Sequence, residues 1–339
     1  MEYASEAEKW LQMAATESDK LITSGRYEIY NTGHPQEDYF NMYRIDDKSD
    51  LKEAVLYVDY KTNIREHNMA AAGREAGCGF SKSFVESFLC SDGLPISLSN
   101  KYLGDETMRK ETANRDPRLK QLILTNDFPT NVTDDLKDST FVVNEDEFIT
   151  QHCFTGYRPI KGFNPIYSQA LYMKSSFDGI AYRYAETLLI NAEAKAELNT
   201  ITDADLDRTI NQLRDRVGMP HLTVNVGFTD PKWPDWGYSL SPILQEIRRE
   251  RCIELAGEGF RFNDLKRWKA GKVLNNVLTY VGKRKPDGNL AIVYPNYTNP
   301  DLSYQAGKSR TWEDKMYLYP IPTGELQRNP QLLPQNPGW

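Results

Sequence analysis

The strongest constraint on the fold is the apolar periodicity of residues 181–217, which falls into two helical stripes. The first stripe contains Ala185, Leu188, Leu189, Ala192 and Ala196, and the second contains Leu206, Ile210, Leu213 and Val217. Spacings of three and four residues place each stripe on one face of an α-helix. Asn199-Thr200 breaks the pattern, Thr202 or Asp203 can cap the second helix, and Gly218 ends it. Two helices in a span of this length match a tetratricopeptide unit, although most consensus residues of that repeat are missing.

The remaining elements are predicted from shorter patterns. Helices are expected at residues 4–24, 241–255 and 263–274, and a strand at residues 53–60. Residues 61–79 lose periodicity and collect small side chains, which favours a long loop, and residues 91–175 are interpreted as loops and short elements. The last 20 residues hold five prolines, so no helix is expected there. This tail is too apolar for a free linker, and we expect it to lie against the rest of the chain.

Composition argues against several classes of function. The 339 residues include 41 basic and 48 acidic side chains, with a formal net charge of −7 and no long basic run. A nucleic-acid partner is not expected, because nonspecific affinity comes mainly from neutralising phosphates. No stretch approaches the roughly 18 consecutive apolar residues of a membrane-spanning helix. The four cysteines contain no CxxC pair and the histidines no paired spacing, so neither a metal nor a cofactor is predicted. A disulfide between Cys78 and Cys90 remains open.

Four groups of motifs, taken together, identify a family. They are SDGLPIS (91–97) with NRDPRL (114–119), YRYAETLLINAEA (182–194), IRRERCIELAGEGFR (247–261) with DLKRW (264–268), and YPIP (319–322) with the terminal QNPGW (335–339). In this order they resemble the SusD/RagB family of Bacteroidota. The resemblance covers nearly the whole chain.

The resemblance implies a mainly α fold with tetratricopeptide-like helix pairs, long irregular loops and a few short strands. It also implies a lipoprotein on the outward-facing surface of the outer membrane, which binds oligosaccharide or polysaccharide and delivers it to a SusC-like TonB-dependent transporter without catalysis. Family members begin with a lipoprotein signal, a lipidated cysteine and a helical region that this sequence does not show. We therefore expect a C-terminal portion of a family member, whose membrane association depends on a lipid anchor outside this chain.

On this basis the chain is predicted to be one SusD-like C-terminal region with four parts. These are a repeat helix (1–30), a loop-rich ligand-side region (31–180), a helical repeat region (181–275) and a loop with a Pro-rich docking tail (276–339). An alternative hypothesis is that the chain is a helical scaffold that docks on the transporter, with a glycan site that is incomplete or lost.

Two carboxylates near the Gly257–Gly259 turn allow two interpretations. Glu254 and Glu258 could form a glycosidase pair of acid and nucleophile or base. They could instead take part in ion pairs that join two helices, because Arg251, Arg261 and Arg267 alternate with acidic residues here. Nearby guanidinium groups lower the pKa of a carboxyl group and spoil it as an acid. We favour the structural interpretation, and extend it to Glu186 and Glu193.

Candidate ligand-binding residues come from two loops. Residues 60–82 supply rings, an imidazole and a charged donor, and residues 233–238 supply three rings within six positions. The candidates are Tyr60, Arg65, His67, Phe80, Trp233, Trp236 and Tyr238. Sugars need stacking faces surrounded by planar donors and acceptors, which these residue types provide. For residues 233–238, packing and binding both remain open.

Overall fold

Most helices and strands of the computed structural model are short and are joined by long loops. The structure describes residues 2–70, 79–150, 152–292 and 311–339. Its helices are α1 (Glu2–Thr23), α2 (Asp38–Asn41), α3 (Lys82–Ser87), α4 (Met108–Thr112), α5 (Arg118–Leu122), α6 (Tyr184–Glu197), α7 (Asp203–Asp207), α8 (Ile210–Arg216), α9 (Pro242–Glu254), α10 (Phe260–Arg267) and α11 (Thr323–Arg328). Its strands are β1 (Ala54–Val58), β2 (Pro129–Val132), β3 (Ser139–Phe141), β4 (Gly179–Arg183), β5 (Val281–Arg284) and β6 (Leu290–Ile292). The strands pair only as three two-stranded sheets among these residues, which confirms the predicted mainly α fold.

Helix α6 is the centre of the helical region. Both α1 and α9 pack against it, and the predicted stripe of Ala185, Leu188, Leu189, Ala192 and Ala196 is buried. Asn191 fixes the position of α1, because its amide donates hydrogen bonds to the carbonyl of Ala15 at 3.1 Å and to the hydroxyl of Ser18 at 3.0 Å. Each fully buried leucine in such a stripe contributes roughly 1.5–3 kcal/mol.

The second predicted helix is divided into α7 and α8. Thr202, one of the two predicted caps, caps α7 and forms a reciprocal capping box with Asp205. Thr209 then leaves the helical region of backbone space, with φ −130° and ψ −94°, and separates the two helices. The predicted stripe survives the break, since Leu206, Ile210, Leu213 and Val217 are all buried. Gly218 follows with φ +66°, which suits a residue without a Cβ.

The loop-rich part surrounds a second apolar core. Tyr39, Phe88, Leu119, Tyr157 and Phe177 are among its buried members. The antiparallel pair of β1 and β4 borders this region, and β4 leads directly into α6. The predicted strand at 53–60 is therefore confirmed in slightly shorter form. Of the predicted loop at 61–79, residues 71–78 lie outside the described part of the chain, as does Cys78 of the disulfide weighed above.

Helices α9 and α10 meet at the Gly257–Gly259 turn. The hydroxyl of Ser241 caps α9, and Pro242 occupies its first turn. Helix α10 begins three residues before the predicted start at Asn263, because Gly259, with φ +85°, already ends the turn. No described helix has the length and hydropathy that crossing a bilayer requires.

The prediction that the C-terminal tail contains no helix is wrong. Helix α11 fits between Pro322, which stands at its N-cap, and Pro330, which lies beyond its end. Neither proline therefore interrupts a hydrogen bond inside the helix. The segment leading to the tail contacts the helical region, where the main-chain N–H of Gly271 donates to the Tyr317 hydroxyl at 2.7 Å.

Candidate ligand site

Arg183 links the two carboxylates that could have formed a glycosidase pair. It lies at the end of β4 and is 2% exposed. Its Nη1 donates to Glu254 Oε1 at 2.6 Å, while its Nε and Nη2 donate to the two carboxylate oxygens of Glu258 at 2.9 and 2.7 Å. One guanidinium group thus holds both acids.

Glu254 has two further arginine partners. Arg216 Nη2 donates to both carboxylate oxygens at 2.7 and 2.6 Å, and Arg118 Nη1 donates to Oε2 at 3.0 Å. Burial by itself would raise the pKa of Glu254. The guanidinium groups outweigh burial and hold this pKa well below its usual range.

Glu258 shares Arg183 with a lysine. Lys161 Nζ donates to Glu258 Oε1 at 2.6 Å. Burial raises the pKa of Glu258, but Arg183 and Lys161 outweigh this effect and lower the pKa to about 2. A general acid needs a pKa near the working pH, so neither carboxyl group is suited to protonate a leaving group at neutral pH.

The structural interpretation of these charges is confirmed. Arg251 Nε donates to Asp264 Oδ2 at 2.9 Å and so joins α9 to α10 across the turn. Glu193 accepts hydrogen bonds from Arg267 Nη2 at 2.7 Å and from the indole of Trp268. For Glu186, burial raises the pKa, and no described hydrogen bond to a neighbouring helix bears out its predicted role.

Three of the candidate ligand residues form a cluster on the loop side. The guanidinium carbon of Arg65 lies 5.0 Å from the centre of the Tyr60 ring, and the Tyr60 and His67 rings meet edge to face at 4.5 Å. Arg65 is exposed, whereas Tyr60 and His67 are half-buried. Main-chain contacts fix the cluster, since the N–H of Tyr60 donates to Asp178 Oδ1 at 2.7 Å. We call Tyr60, Arg65 and His67 the loop cluster.

The imidazole of His67 has a defined protonation pattern. Its Nδ1 accepts from the main-chain N–H of Met69 at 3.1 Å, which leaves Nε2 to donate to the carbonyl of Phe177 at 2.8 Å. Burial lowers the pKa of His67, and the charge of Lys48 adds to this effect. The ring is thus kept neutral and oriented.

A second segment pairs with the loop cluster and brings residues that sequence reasoning missed. The main chains of His67 and Ser175 exchange hydrogen bonds at 2.9 and 3.1 Å, and the N–H of Met173 donates to Asn68 Oδ1 at 3.0 Å. Tyr172, just before this pairing, is 71% exposed. Tyr167 is exposed as well. An isolated tyrosine in a loop carries no periodic signal, so only the pairing with residues 67–68 reveals its position.

Phe80 lies apart from the loop cluster in its contacts. Its ring stacks on Phe84 with centroids 4.4 Å apart and packs at the edge of the loop-side core. Its main-chain N–H donates to the carbonyl of Tyr157 at 2.9 Å. Phe80 is half-buried, so one part of the ring is accessible.

The three rings at 233–238 do not form one platform. Trp236 is 3% exposed, meets Trp268 edge to face at 5.6 Å and donates its indole N–H to Gln245 Oε1 at 2.6 Å. Its selection as a stacking ring is corrected, because its faces are covered by the core. Trp233 is half-buried and bonded to Glu246, and the hydroxyl of Tyr238 accepts a hydrogen bond from Arg248 at 2.9 Å. Only the ring of Tyr238 is exposed.

The described residues contain no group of three His, Cys, Asp or Glu side chains that could hold a metal ion.

The chain belongs to the SusD family, whose model matches residues 23–339. It is 31% identical over 166 residues to SusD-like protein P2 of Formosa agariphila, an alignment covering 49% of this chain and 27% of that protein.

Two solved structures from Bacteroides fragilis have the same fold. One is a SusD-like protein with 23% identity and a TM-score of 0.68, which the chain matches over 98% of its own length and 62% of the relative's. The other is a SusD-like carbohydrate-binding protein with 23% identity and a TM-score of 0.67, at 96% and 62% coverage. The chain therefore spans less than two thirds of the length of these relatives.

Proposed function

We propose that this protein binds an oligosaccharide or polysaccharide at the cell surface and delivers it to a SusC-like TonB-dependent transporter without cleaving it. The observation that carries this proposal is the loop cluster of Tyr60, Arg65 and His67, paired with the segment that exposes Tyr172. It lies on a fold shared with a Bacteroides fragilis protein described as carbohydrate-binding. Location on the outward face of the outer membrane, through a lipid anchor, is part of the same proposal and rests on family membership.

The chemistry of the loop cluster suits a hydroxyl-rich ligand. Arg65 is exposed and offers several N–H donors in one plane. Tyr172 offers an uncovered ring, and aromatic faces pack on the C–H faces of sugars. One face of Tyr60 is already covered by Arg65, so Tyr172 is the better stacking surface of the two.

The expected affinity is moderate. A ring that covers about 50 Å² of sugar C–H surface contributes roughly 1 kcal/mol. A few such contacts and hydrogen bonds, less the cost of ordering the loops, give a dissociation constant of roughly millimolar to micromolar. Binding of this strength suits a protein that must release its ligand to a transporter.

Absence of catalysis is supported by the state of the acids. Glu254 and Glu258 are held by arginine and lysine side chains and are kept ionised by them. Neither lies in the loop cluster. We therefore place sugar recognition in the loops and assign the acids to stability.

The test is incubation of the chain with a panel of neutral oligosaccharides, followed by calorimetry and by chromatography of the sugars. We expect binding of at least one glycan, with the whole panel recovered uncut. Cleavage that Glu254→Gln abolishes would contradict the proposal.

The alternative is a scaffold that docks on the transporter and has an incomplete glycan site. It is favoured by one observation, namely that the chain spans 62% of the length of the solved relatives. Calorimetry on this chain and on a longer version carrying the preceding part of a family member distinguishes the two. Heat from the longer version alone would favour the scaffold.

A further inference from the structure

A short hairpin at residues 61–65 carries the arginine of the loop cluster. The main chains of Lys61 and Arg65 exchange two hydrogen bonds, each 2.9 Å long, and the N–H of Ile64 donates to the carbonyl of Lys61 at 3.0 Å. Asn63 lies in the turn with φ +62°, a conformation that asparagine adopts more readily than most other residues with a side chain. The hairpin therefore holds residues 61 and 65 directly opposite each other.

This pairing brings two positive charges together. Residues that exchange both hydrogen bonds in an antiparallel pair project their side chains from the same face, with Cβ atoms about 5 Å apart. Lys61 and Arg65 are both exposed. Like charges directly opposite each other destabilise a hairpin, and a negative charge bound between them would remove that repulsion.

The guanidinium group of Arg65 is oriented but unpaired. Its carbon lies 5.0 Å from the centre of the Tyr60 ring, which the edge-to-face contact with His67 holds in place. Within residues 2–70, 79–150, 152–292 and 311–339 this group makes no hydrogen bond and no ion pair, and the same is true of the Lys61 ammonium group. Because both side chains are exposed, their N–H donors are open to a ligand.

The neighbouring acids do not neutralise the two cations of the hairpin. The carboxylate of Glu66 is bonded to Lys174 Nζ at 3.0 Å. Asp178 is buried and accepts from the main-chain N–H of Tyr60 at 2.7 Å. Asp59 is exposed and forms an ion pair with neither cation in the described part of the chain. The hairpin therefore presents two unpaired positive charges, although the whole chain has a formal net charge of −7.

The two cations lie beside the groups that are proposed to bind sugar. His67, two residues after Arg65, pairs through its main chain with Ser175, and the segment before Ser175 exposes Tyr172. A carboxylate or sulfate group matches a guanidinium group through two parallel N–H···O bonds, and a lysine adds a point charge. A neutral sugar would leave the like charges of Lys61 and Arg65 facing each other.

We propose that the loop cluster recognises an anionic sugar residue, whose carboxylate or sulfate group binds between Lys61 and Arg65. This inference rests on the proposed glycan function and deepens it, because it names the substrate class as a glycan that carries acidic residues. Carboxylate and sulfate groups share the chemistry that the hairpin offers to bind, namely negatively charged oxygens that accept several N–H donors. Lys61 is then a specificity-determining residue outside the set selected from the sequence.

The experiment is calorimetry of the chain with three sets of short oligosaccharides: uronic-acid, sulfated and neutral. The first two sets separate the two sources of negative charge. We expect at least one anionic set to bind more tightly than the neutral set, with an affinity that falls as the salt concentration rises. Lys61→Gln should weaken anionic binding about fivefold, the upper range for an exposed ion pair, and make its salt dependence shallower. Lys61→Glu should weaken it further, because the new carboxylate would pair with Arg65.

Urea unfolding of the free chain separates a loss of binding from a loss of folding. Because Lys61 lies opposite another cation, Lys61→Gln should leave the midpoint of unfolding unchanged or raise it slightly. Lys20→Gln is the matched control, because Lys20 is an exposed lysine on α1 that is paired with Glu17. It removes the same charge and should leave anionic binding unchanged.

Equal losses of anionic binding from Lys61→Gln and Lys20→Gln would overturn the inference, as would anionic sugars that bind no more tightly than neutral ones. In both cases, binding of the neutral set would leave the proposed function intact. Absence of binding by all three sets would contradict the proposed function itself, and the inference with it.

Discussion

Arg183 and Glu254 are joined twice, once through Arg183 Nη1 and the Glu254 carboxylate at 2.6 Å and once through Arg183 Nη2 and the Glu254 main-chain carbonyl at 2.6 Å. Arg183 ends β4, and Glu254 ends α9. The pair therefore ties the loop-rich side to the helical side at the point where both elements finish. The second bond, together with one from the Tyr39 hydroxyl at 2.6 Å, satisfies a carbonyl at the end of α9 that has no partner within the helix.

Replacing Arg183 by methionine is expected to destabilise the fold strongly. The change leaves Glu254 without one of its arginines and Glu258 with Lys161 as its remaining charged partner. It also removes the buried ion pair of Arg183 with Glu53. Removing one partner of a buried ion pair costs about 3–5 kcal/mol, and urea unfolding measures that loss. Arg109→Met is the control, because the pair of Arg109 with Asp127 is exposed and should contribute less than about 1 kcal/mol. Equal effects of the two changes would show that the buried network is not a main source of stability.

The free energy of unfolding is expected to fall in acid, and Glu258 contributes to this pH dependence. The pKa of Glu258 is lowered from its usual 4.5 to about 2 by Arg183 and Lys161, against the effect of burial. The unfolded chain therefore takes up this proton at a higher pH than the folded chain. The contribution of ionised Glu258 to the free energy of unfolding is complete above pH 4.5 and is lost as the pH falls towards 2. In urea unfolding at stepped pH, Glu258→Gln should make the decline over that window shallower. An unchanged decline would mean that other acids control acid unfolding. Glu325→Gln, at an exposed pair on α11, is the control.

Local sequence patterns predicted the helical part well. The stripe of α6 is a repeating signal over four turns, and the cap at Thr202, one of the two predicted, is a short-range one. Both signals depend only on residues that are close together in the chain, so they can be recognised in a single sequence. The split between α7 and α8 was not predicted. The apolar stripe keeps its helical spacing across Thr209, whereas the backbone of Thr209 is not helical.

The partners of the buried acids could not be predicted in the same way. The sequence indicated that arginines would neutralise Glu254, but Arg118, Arg183 and Arg216 come from three separate elements. Long-range pairing of this kind is fixed by the tertiary packing and leaves no periodic trace. The same holds for the exposed ring of Tyr172, whose position beside residues 67–68 follows from the main-chain pairing of His67 with Ser175, more than a hundred residues apart.

Trp236 is expected to be a stability residue with no direct part in binding. Its ring is buried against Trp268, and its indole N–H is bonded to Gln245. Trp236→Ala should cost about 3–5 kcal/mol in urea unfolding, as for other large-to-small changes in a core. The folded fraction should bind glycan with unchanged affinity in calorimetry. A Trp236 variant that keeps its stability but loses glycan binding would contradict this expectation and show that the ring takes part in binding.

The loop cluster is expected to loosen in mild acid. Burial lowers the pKa of His67 below its usual 6.5. The unfolded chain therefore takes up this proton at a higher pH than the folded chain, and the folded state loses stability as the pH falls below 6.5. Protonation at Nδ1 would also break the hydrogen bond from Met69, since that nitrogen could no longer accept. The protection factor of the Met69 amide, measured by NMR relative to the exchange rate of an unfolded chain at the same pH, should fall between pH 7 and pH 5. His67→Gln should remove most of that change, whereas a protection factor that is independent of pH in the unmodified protein would contradict the expectation.

Glycan binding is expected to depend on Tyr172, and the prediction can be tested with a variant of matched exposure. Tyr172 is 71% exposed, so Tyr172→Ala should change the free energy of unfolding by less than about 0.5 kcal/mol. Loss of one stacking ring removes roughly 1 kcal/mol of binding, which corresponds to about a fivefold weaker affinity for a neutral oligosaccharide in calorimetry. Tyr319, at 68% exposure in the C-terminal tail, is the control. If Tyr319→Ala weakens neutral-glycan binding and Tyr172→Ala does not, the ligand is held by the tail and the loops have another role.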